Sequence, residues 1–168
     1  MASSAPAGSA ERVPAAAPVA IALGSNLGDR RAHLAWALEQ LATHVTDLRV
    51  STAIETEPVD VPDVQPPYLN AVAIGSTILA PRALLDTLLA LEQQRGRTRA
   101  SFRAARTLDL DLILYGDRII DEPGLVIPHA HFRTRRFVLD PLAALAPAWI
   151  DPVTGLTMAA LRDRARRS

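Results

Sequence analysis

The sequence predicts an α+β domain, and three observations carry that expectation. Four short apolar runs are too brief for buried helices and suit strands. Two longer stretches repeat leucine at helical spacing. The two kinds of segment alternate in the order strand, helix, strand, strand, helix, strand. The first strand is "VAIAL" (19–23). The helix after it is "GDRRAHLAWALEQLATHV", with Leu34, Leu38, Leu41 and Val45 on one side and Asp29 placed to cap its start. "LRVSTAIET" (48–56) reads as a second strand. "YLNAVAIGSTIL" (68–79) reads as a third, in which Gly75 marks a bulge or a close approach. Pro81 opens the second helix and Gly96 ends it, with Leu84, Leu88 and Leu91 as its stripe. The strand "LDLDLILYG" follows, then a hairpin near "DRIID" and short helices around 134–145 and 156–166. This order is the ferredoxin-like split βαβ pattern, an antiparallel sheet with helices on one face and a C-terminal extension.

At 168 residues one domain is expected, over 19–168. The alanine- and proline-rich residues 1–18 read as a disordered tail without the basic start and apolar core of a signal peptide. A fused second enzyme is not expected within these 168 residues. Charges cancel to zero, so no whole-protein field draws nucleic acid or an anionic membrane. No apolar run approaches the ~18 residues of a membrane span. Cysteine is absent, which removes disulfides and thiolate chemistry. All 18 basic residues are arginine, so a Walker-type phosphate loop and a lysine base are excluded. A cytoplasmic location is expected.

"RTLDLDLILYGD" (106–117) is the run that needs explaining. Alternation puts Asp109, Asp111, Ile113 and Tyr115 on one face of a strand and Leu108, Leu110, Leu112 and Leu114 on the other. The two Asp Cα atoms then lie about 6.5 Å apart with parallel side chains. Two anions that close require a cation between them, an arginine or a metal. An ion pair with Arg106 is one reading. The other is a Mg²⁺ site, because hard cations take carboxylate oxygens together with substrate phosphates. Two such ions can clamp a phosphoryl group in transfer. "RGRTRASFRAAR" (95–106) supplies Arg97, Arg99, Arg103 and Arg106, whose guanidinium forks match phosphate oxygens. Acid for metal and arginine for anion on adjacent segments favour phosphoryl transfer.

Other signals are weaker. "TEPVDVPDVQPP" (56–67) has four prolines and no core pattern, so it reads as a binding loop or a solvated one. "GSNLGD" lacks the third glycine of a dinucleotide fingerprint and reads as a tight turn near a ligand. Glu92, at the edge of its helix's apolar stripe, is a site carboxylate or a solvated charge. His129 and His131 are too few for a metal centre, and His129 suits a phosphate or adenine contact. Tyr68 and Asn70 share a strand face that suits a flat heterocycle, although core packing explains Tyr68 equally well. The rivals are another Mg²⁺–ATP phosphotransferase and a ferredoxin-like nucleic-acid binder. Zero net charge and few stacking aromatics oppose the binder.

"ALGSNLGDR", "PPYLNAV", "LEQQRGR-R", "RTLDLDLILYGD" and "IPH---R-RRFVLDPL", in this order over residues 19–150, resemble the 6-hydroxymethyl-7,8-dihydropterin pyrophosphokinase family of folate biosynthesis. The resemblance implies an enzyme that moves pyrophosphate from ATP to the pterin hydroxymethyl group and releases AMP, and a monomer is expected. It implies two Mg²⁺ ions on Asp109 and Asp111. It places Arg97, Arg99 and Arg106 on the phosphates, and Glu92, Leu112, His129 and Arg135 at the nucleotide, with Arg135 also near the pterin. Thr56, Val59, Tyr68, Asn70, Phe102 and Phe137 fall at the pterin, where Asn70 reads the ring edge and Tyr68 and Phe137 sandwich its faces. The chain departs from relatives in three places. Phe102-Arg103-Ala104-Ala105 lacks the proline that often precedes Arg106. Ala130 replaces an aromatic, and Leu89 replaces a glutamine near ATP.

Overall fold

The structure, a computed structural model, describes residues 14–96 and 105–168. Strand β1 (Ala17–Ser25) lies at the centre of the sheet, two residues longer at each end than its apolar run. It is flanked by β4 (Tyr68–Thr77) and β5 (Asp109–Tyr115), both antiparallel to it. On the far side of β4 run β2 (Thr46–Val50) and β3 (Ile54–Thr56). The split βαβ order is therefore the observed one.

The expected single strand over 48–56 is two strands laid end to end on β4. Val50 sits opposite Ala73 and Ile54 opposite Asn70, so the 50–54 segment holds one residue more than its partner. That extra residue breaks the ladder, while Ser51 still bonds Val72 through its backbone N–H and its hydroxyl. Gly75 marks a close approach, as its sequence position suggested. A Cβ there would lie 2.6 Å from the Thr46 carbonyl oxygen and would also strike Val45.

Helices α1 (Arg30–Leu41) and α2 (Pro81–Gln94) cover one face of the sheet. Asp29 caps α1 by accepting the Ala32 N–H at 3.0 Å. Leu34, Ala37 and Leu41 from α1 and Leu84, Leu88 and Leu91 from α2 pack on Val19, Ile21, Leu23, Leu110 and Leu112. The hairpin β6 (Ile120–Glu122) and β7 (Leu125–Ile127) follows the central sheet.

The C-terminal extension covers part of the opposite face, which the topology alone would leave open. Helices α3 (Arg136–Leu145) and α4 (Met158–Arg167) bury Leu139, Leu142 and Met158 against Ala20, Val72, Ile74 and Leu114. Each fully buried side chain of this kind contributes roughly 1.5–3 kcal/mol. Asp151 ties the segment before α3 to the loop before α4. Its carboxylate, fully buried, accepts from Arg133 Nε at 2.6 Å and Nη2 at 2.8 Å, and from Thr154 Oγ1 and Val153 N. The far end of the same sheet face, from Ala22 and Gly24 across to Tyr68, Asn70, Asp109 and Asp111, lines a cavity.

Candidate active site

Strand β5 carries the acids, and its register decides what they face. Asp109 lies opposite Gly24 and Asp111 opposite Ala22, so both share the cavity face, as alternation predicts. Alternation then fails at Ile113. Ile21 pairs with Leu112 but Ala20 pairs with Leu114, so Ile113 is the extra residue of a bulge. Ile113 and Leu114 consequently both join the core under α3, whereas Tyr115 passes to the helical face. There its hydroxyl donates to the Leu79 carbonyl at 2.6 Å. The expectation of Leu114 with the leucine face and Tyr115 with the aspartates is thus corrected.

Both cations considered from the sequence have a physical basis, one for each aspartate. Arg106 Nη1 donates to Asp109 Oδ1 at 2.9 Å, with both groups part-buried. Arg135 and Arg106 act on Asp111 only through their fields, and no ion pair to Asp111 is found among the described residues. Burial, then the Asp109 and Glu92 carboxylates, push the Asp111 carboxyl up to about 7. A third negative side chain so close is what a bound cation would relieve.

Glu92 is 2 % exposed, which corrects the reading of a solvated charge. Its Oε1 accepts the Leu110 N–H at 2.7 Å, inside the acidic strand itself. A signal for this was present. Glu92 follows Leu84 by eight residues and Leu88 by four, so it occupies the buried stripe rather than its edge.

Two cavities meet at the acids. The first, about 630 Å³, is lined by Thr56, Val59, Tyr68, Asn70, Arg135 and Phe137, together with Arg106, Asp109 and Asp111. The second, about 370 Å³, lies between α2 and the segment after β7. Leu89, Glu92, Leu112, His129 and Ala130 line it, again with Arg106, Asp109 and Asp111. Every described residue assigned to the pterin falls in the first cavity. Glu92, Leu112 and His129 fall in the second, and Arg135 lines only the first. Arg97, Arg99, Phe102 and Arg103 lie outside the described residues.

Local chemistry in each cavity is specific. Asn70 Nδ2 donates to Thr56 Oγ1 at 2.6 Å, which leaves its Oδ1 as an acceptor. Gly24 keeps that oxygen accessible, since a Cβ there would stand 3.1 Å from it and 3.6 Å from the Tyr68 ring. In the second cavity burial, then Arg135 and His131, push His129 down to about 4, so the ring is neutral at pH 7. Its Nδ1 accepts the His131 N–H at 3.2 Å, which puts the ring proton on Nε2 as a donor. Among the described residues no group of three histidine or acidic side chains forms a metal cage. The acid pair suits a cation that also takes oxygens from substrate and water.

Sequence reasoning missed Asn26. It is 1 % exposed and joins segments that are far apart in the chain. Its Oδ1 accepts the Arg106 N–H at 2.7 Å, its N–H donates to the Arg106 carbonyl at 3.0 Å, and its Nδ2 reaches Gln65 Oε1 at 3.1 Å. Arg106 is also braced from behind, because Thr107 Oγ1 donates to the Arg95 carbonyl at 2.8 Å.

Fold and site together define a ferredoxin-like α+β protein with a carboxylate pair shared by two ligand-sized cavities. The particular family follows from comparison. Residues 20–147 match the model of 7,8-dihydro-6-hydroxymethylpterin-pyrophosphokinase (HPPK). The chain belongs to this family. A pyrophosphokinase of Synechocystis named for 2-amino-4-hydroxy-6-hydroxymethyldihydropteridine is 40% identical over 146 residues, covering 86% of this chain and 74% of its own. The equivalent from Pseudomonas aeruginosa is 43% identical over 131 residues, with 77% and 80% covered. A folate synthesis bifunctional protein of Arabidopsis thaliana is 43% identical over 129 residues, 76% of this chain but 26% of its own. The crystal structure of Plasmodium falciparum HPPK-DHPS A437G with STZ-DHP superposes with a TM-score of 0.73 at 13% identity, which shows the shared fold. It covers 90% of this chain, which spans under half of that one (46%). The function expected from the sequence is the one these relatives are named for. Among the described residues no helix is long and apolar enough to cross a membrane.

Proposed function

We propose that the chain transfers pyrophosphate from ATP to the hydroxymethyl group of 6-hydroxymethyl-7,8-dihydropterin and releases AMP, as a cytoplasmic monomer using two Mg²⁺ ions. One observation carries the reading: Asp109, Asp111 and Arg106 line both cavities, so a donor in one and an acceptor in the other meet at the same charges. The donor set fits Mg²⁺, being carboxylate oxygen with one aspartate pushed toward protonation by its acidic neighbours. Asp109 and Asp111 would hold the ions, which supply charge neutralisation for the migrating phosphoryl oxygens.

The chain's own side chains do the rest. Tyr68 and Phe137 line the acceptor cavity with ring surface, and Asn70 Oδ1 accepts from the amino edge of the heterocycle. Leu89, Leu112 and Ala130 give the second cavity an apolar wall for the nucleotide base, and His129 offers Nε2–H. Arg106, fixed through its backbone by Asn26, presents its guanidinium where the cavities join. Arg97 and Arg99 join it on the phosphates by sequence position. Catalysis is then mainly positioning and electrostatic stabilisation.

The test is the nucleotide product. Purified protein with Mg²⁺, ATP and the reduced pterin should yield AMP and pterin diphosphate in equal amounts on chromatography. ADP with a pterin monophosphate would overturn the reading.

A further inference from the structure

The two cavities are joined by something other than the acids. The wall of the acceptor cavity includes residues 56–61, the first half of the proline-rich segment whose far end Asn26 holds, and the junction carries Arg106. These segments are 39 to 50 residues apart in sequence and are bridged by one small buried side chain. Asn26 Oδ1 takes the Arg106 N–H at 2.7 Å, while Nδ2 donates to Gln65 Oε1 at 3.1 Å and the Pro66 carbonyl at 3.3 Å. Its own N–H closes a second bond onto the Arg106 carbonyl at 3.0 Å. All the side chain's polar capacity is directed at these two segments, and none at its own turn. Arg30, four residues on, holds the two ends of the same segment by donating to the Pro67 carbonyl at 2.8 Å and to Glu55.

We propose that Asn26 is a positioning residue that couples the two cavities, so that fixing Arg106 on a nucleotide's phosphates also fixes the proline-rich wall against the acceptor. This rests on the reaction proposed above. The physical reason is that a buried amide with all its hydrogen bonds made resists displacement of either end alone, since an orphaned buried donor or acceptor is costly. A side chain that merely stabilised the turn would give no linkage between ligands. One that spans both sites makes their binding free energies interdependent, and reciprocally so.

Two substitutions attack the same bond from opposite ends. Asn26→Asp keeps an acceptor for Arg106 N–H but sets a carboxylate oxygen against Gln65 Oε1 and the Pro66 carbonyl, which releases the wall alone. Gln65→Leu removes one of the two acceptors of Asn26 Nδ2 and leaves the Pro66 carbonyl. Calorimetry would measure pterin affinity with and without a Mg²⁺-bound, non-hydrolysable ATP analogue. The unaltered protein should show at least about tenfold tightening, within the usual range of coupling between sites. Asn26→Asp should fall below about threefold and Gln65→Leu should lie between it and the parent, each measured well below its own thermal midpoint, which the buried carboxylate of Asn26→Asp lowers. The double variant should be no worse than Asn26→Asp alone, as expected when two residues act through one contact. Full tightening in Asn26→Asp, or additive losses in the double variant, would overturn the assignment. AMP formation by the unaltered protein is measured first. Its absence overturns the reaction, whereas AMP formation with coupling untouched in Asn26→Asp overturns only the role of Asn26.

Discussion

Replacing Glu92 separates its two jobs, because one substitution removes only the charge and the other removes the hydrogen bond as well. Glu92→Ala leaves the Leu110 N–H without its acceptor on a residue only 3 % exposed. An orphaned buried N–H costs about 1–3 kcal/mol, and the small cavity left behind adds to that. Glu92→Gln keeps a side-chain oxygen that can accept the same N–H, and loses only the charge-assisted part, about 1 kcal/mol. It also removes one of the two carboxylates that push Asp111 upward, which offsets some of that loss in the metal-free protein. Urea unfolding in a chelator should therefore place Glu92→Gln within about 1 kcal/mol of the parent. Glu92→Ala should be clearly less stable. Calorimetric affinity for Mg²⁺ with an ATP analogue should weaken in both, since both lose the charge. Equal destabilisation by the two substitutions would refute the hydrogen-bond account. Full nucleotide affinity in Glu92→Gln would show that its charge plays no part in the site.

Three further outcomes follow from the same geometry. Asp109→Ala and Asp111→Ala should fold normally yet lose at least about 10²-fold in turnover, the scale for removing one strong electrostatic contact. Near-full activity of either at ordinary Mg²⁺, in a product assay, would refute the metal assignment. Because Asp111 is raised to about 7 from 3.8, the folded, metal-free protein holds a proton there that the unfolded chain has released. Stability from this group therefore declines as pH rises between those values. A cation must displace the proton, so Mg²⁺ affinity should climb with pH up to about 7, with proton release measurable by calorimetry in buffers of different ionisation enthalpy. Asp151 has the opposite sign. Burial raises its carboxyl, but the bonds from Arg133, Thr154 and Val153 outweigh this and hold it below the usual value. Its contribution is complete above about 3.8 and is lost as pH falls through the lowered value. Asp151→Ala should cost about 3 kcal/mol in urea unfolding at pH 7, the low end for breaking a buried pair because Arg133 keeps some contact with water.

What the sequence by itself determined is local. Leucine spacing, the Asp29 cap and Pro81 define α1 and α2, because periodicity and capping act within a few residues of chain. The alternation of Leu108 to Leu112 put both aspartates on one face for the same reason. Tyr68 and Asn70 likewise share the cavity face by period two alone. What only the tertiary structure decided depends on partners from elsewhere in the chain. The bulge at Ile113 arises from pairing with β1, and it sends Leu114 and Tyr115 to faces that alternation assigns the other way. The division of 48–56 into β2 and β3 arises from its register on β4. Glu92 lies on a readable stripe, yet whether a carboxylate there is buried depends on the Leu110 N–H that meets it. The covering of part of the second sheet face by α3 and α4 is set by which side the C-terminal segment crosses, and no local periodicity records that. Asn26 shows the difference most directly. An asparagine after a glycine and a serine reads as a turn residue, and only the folded chain brings Arg106, 80 residues away, within reach of its side chain.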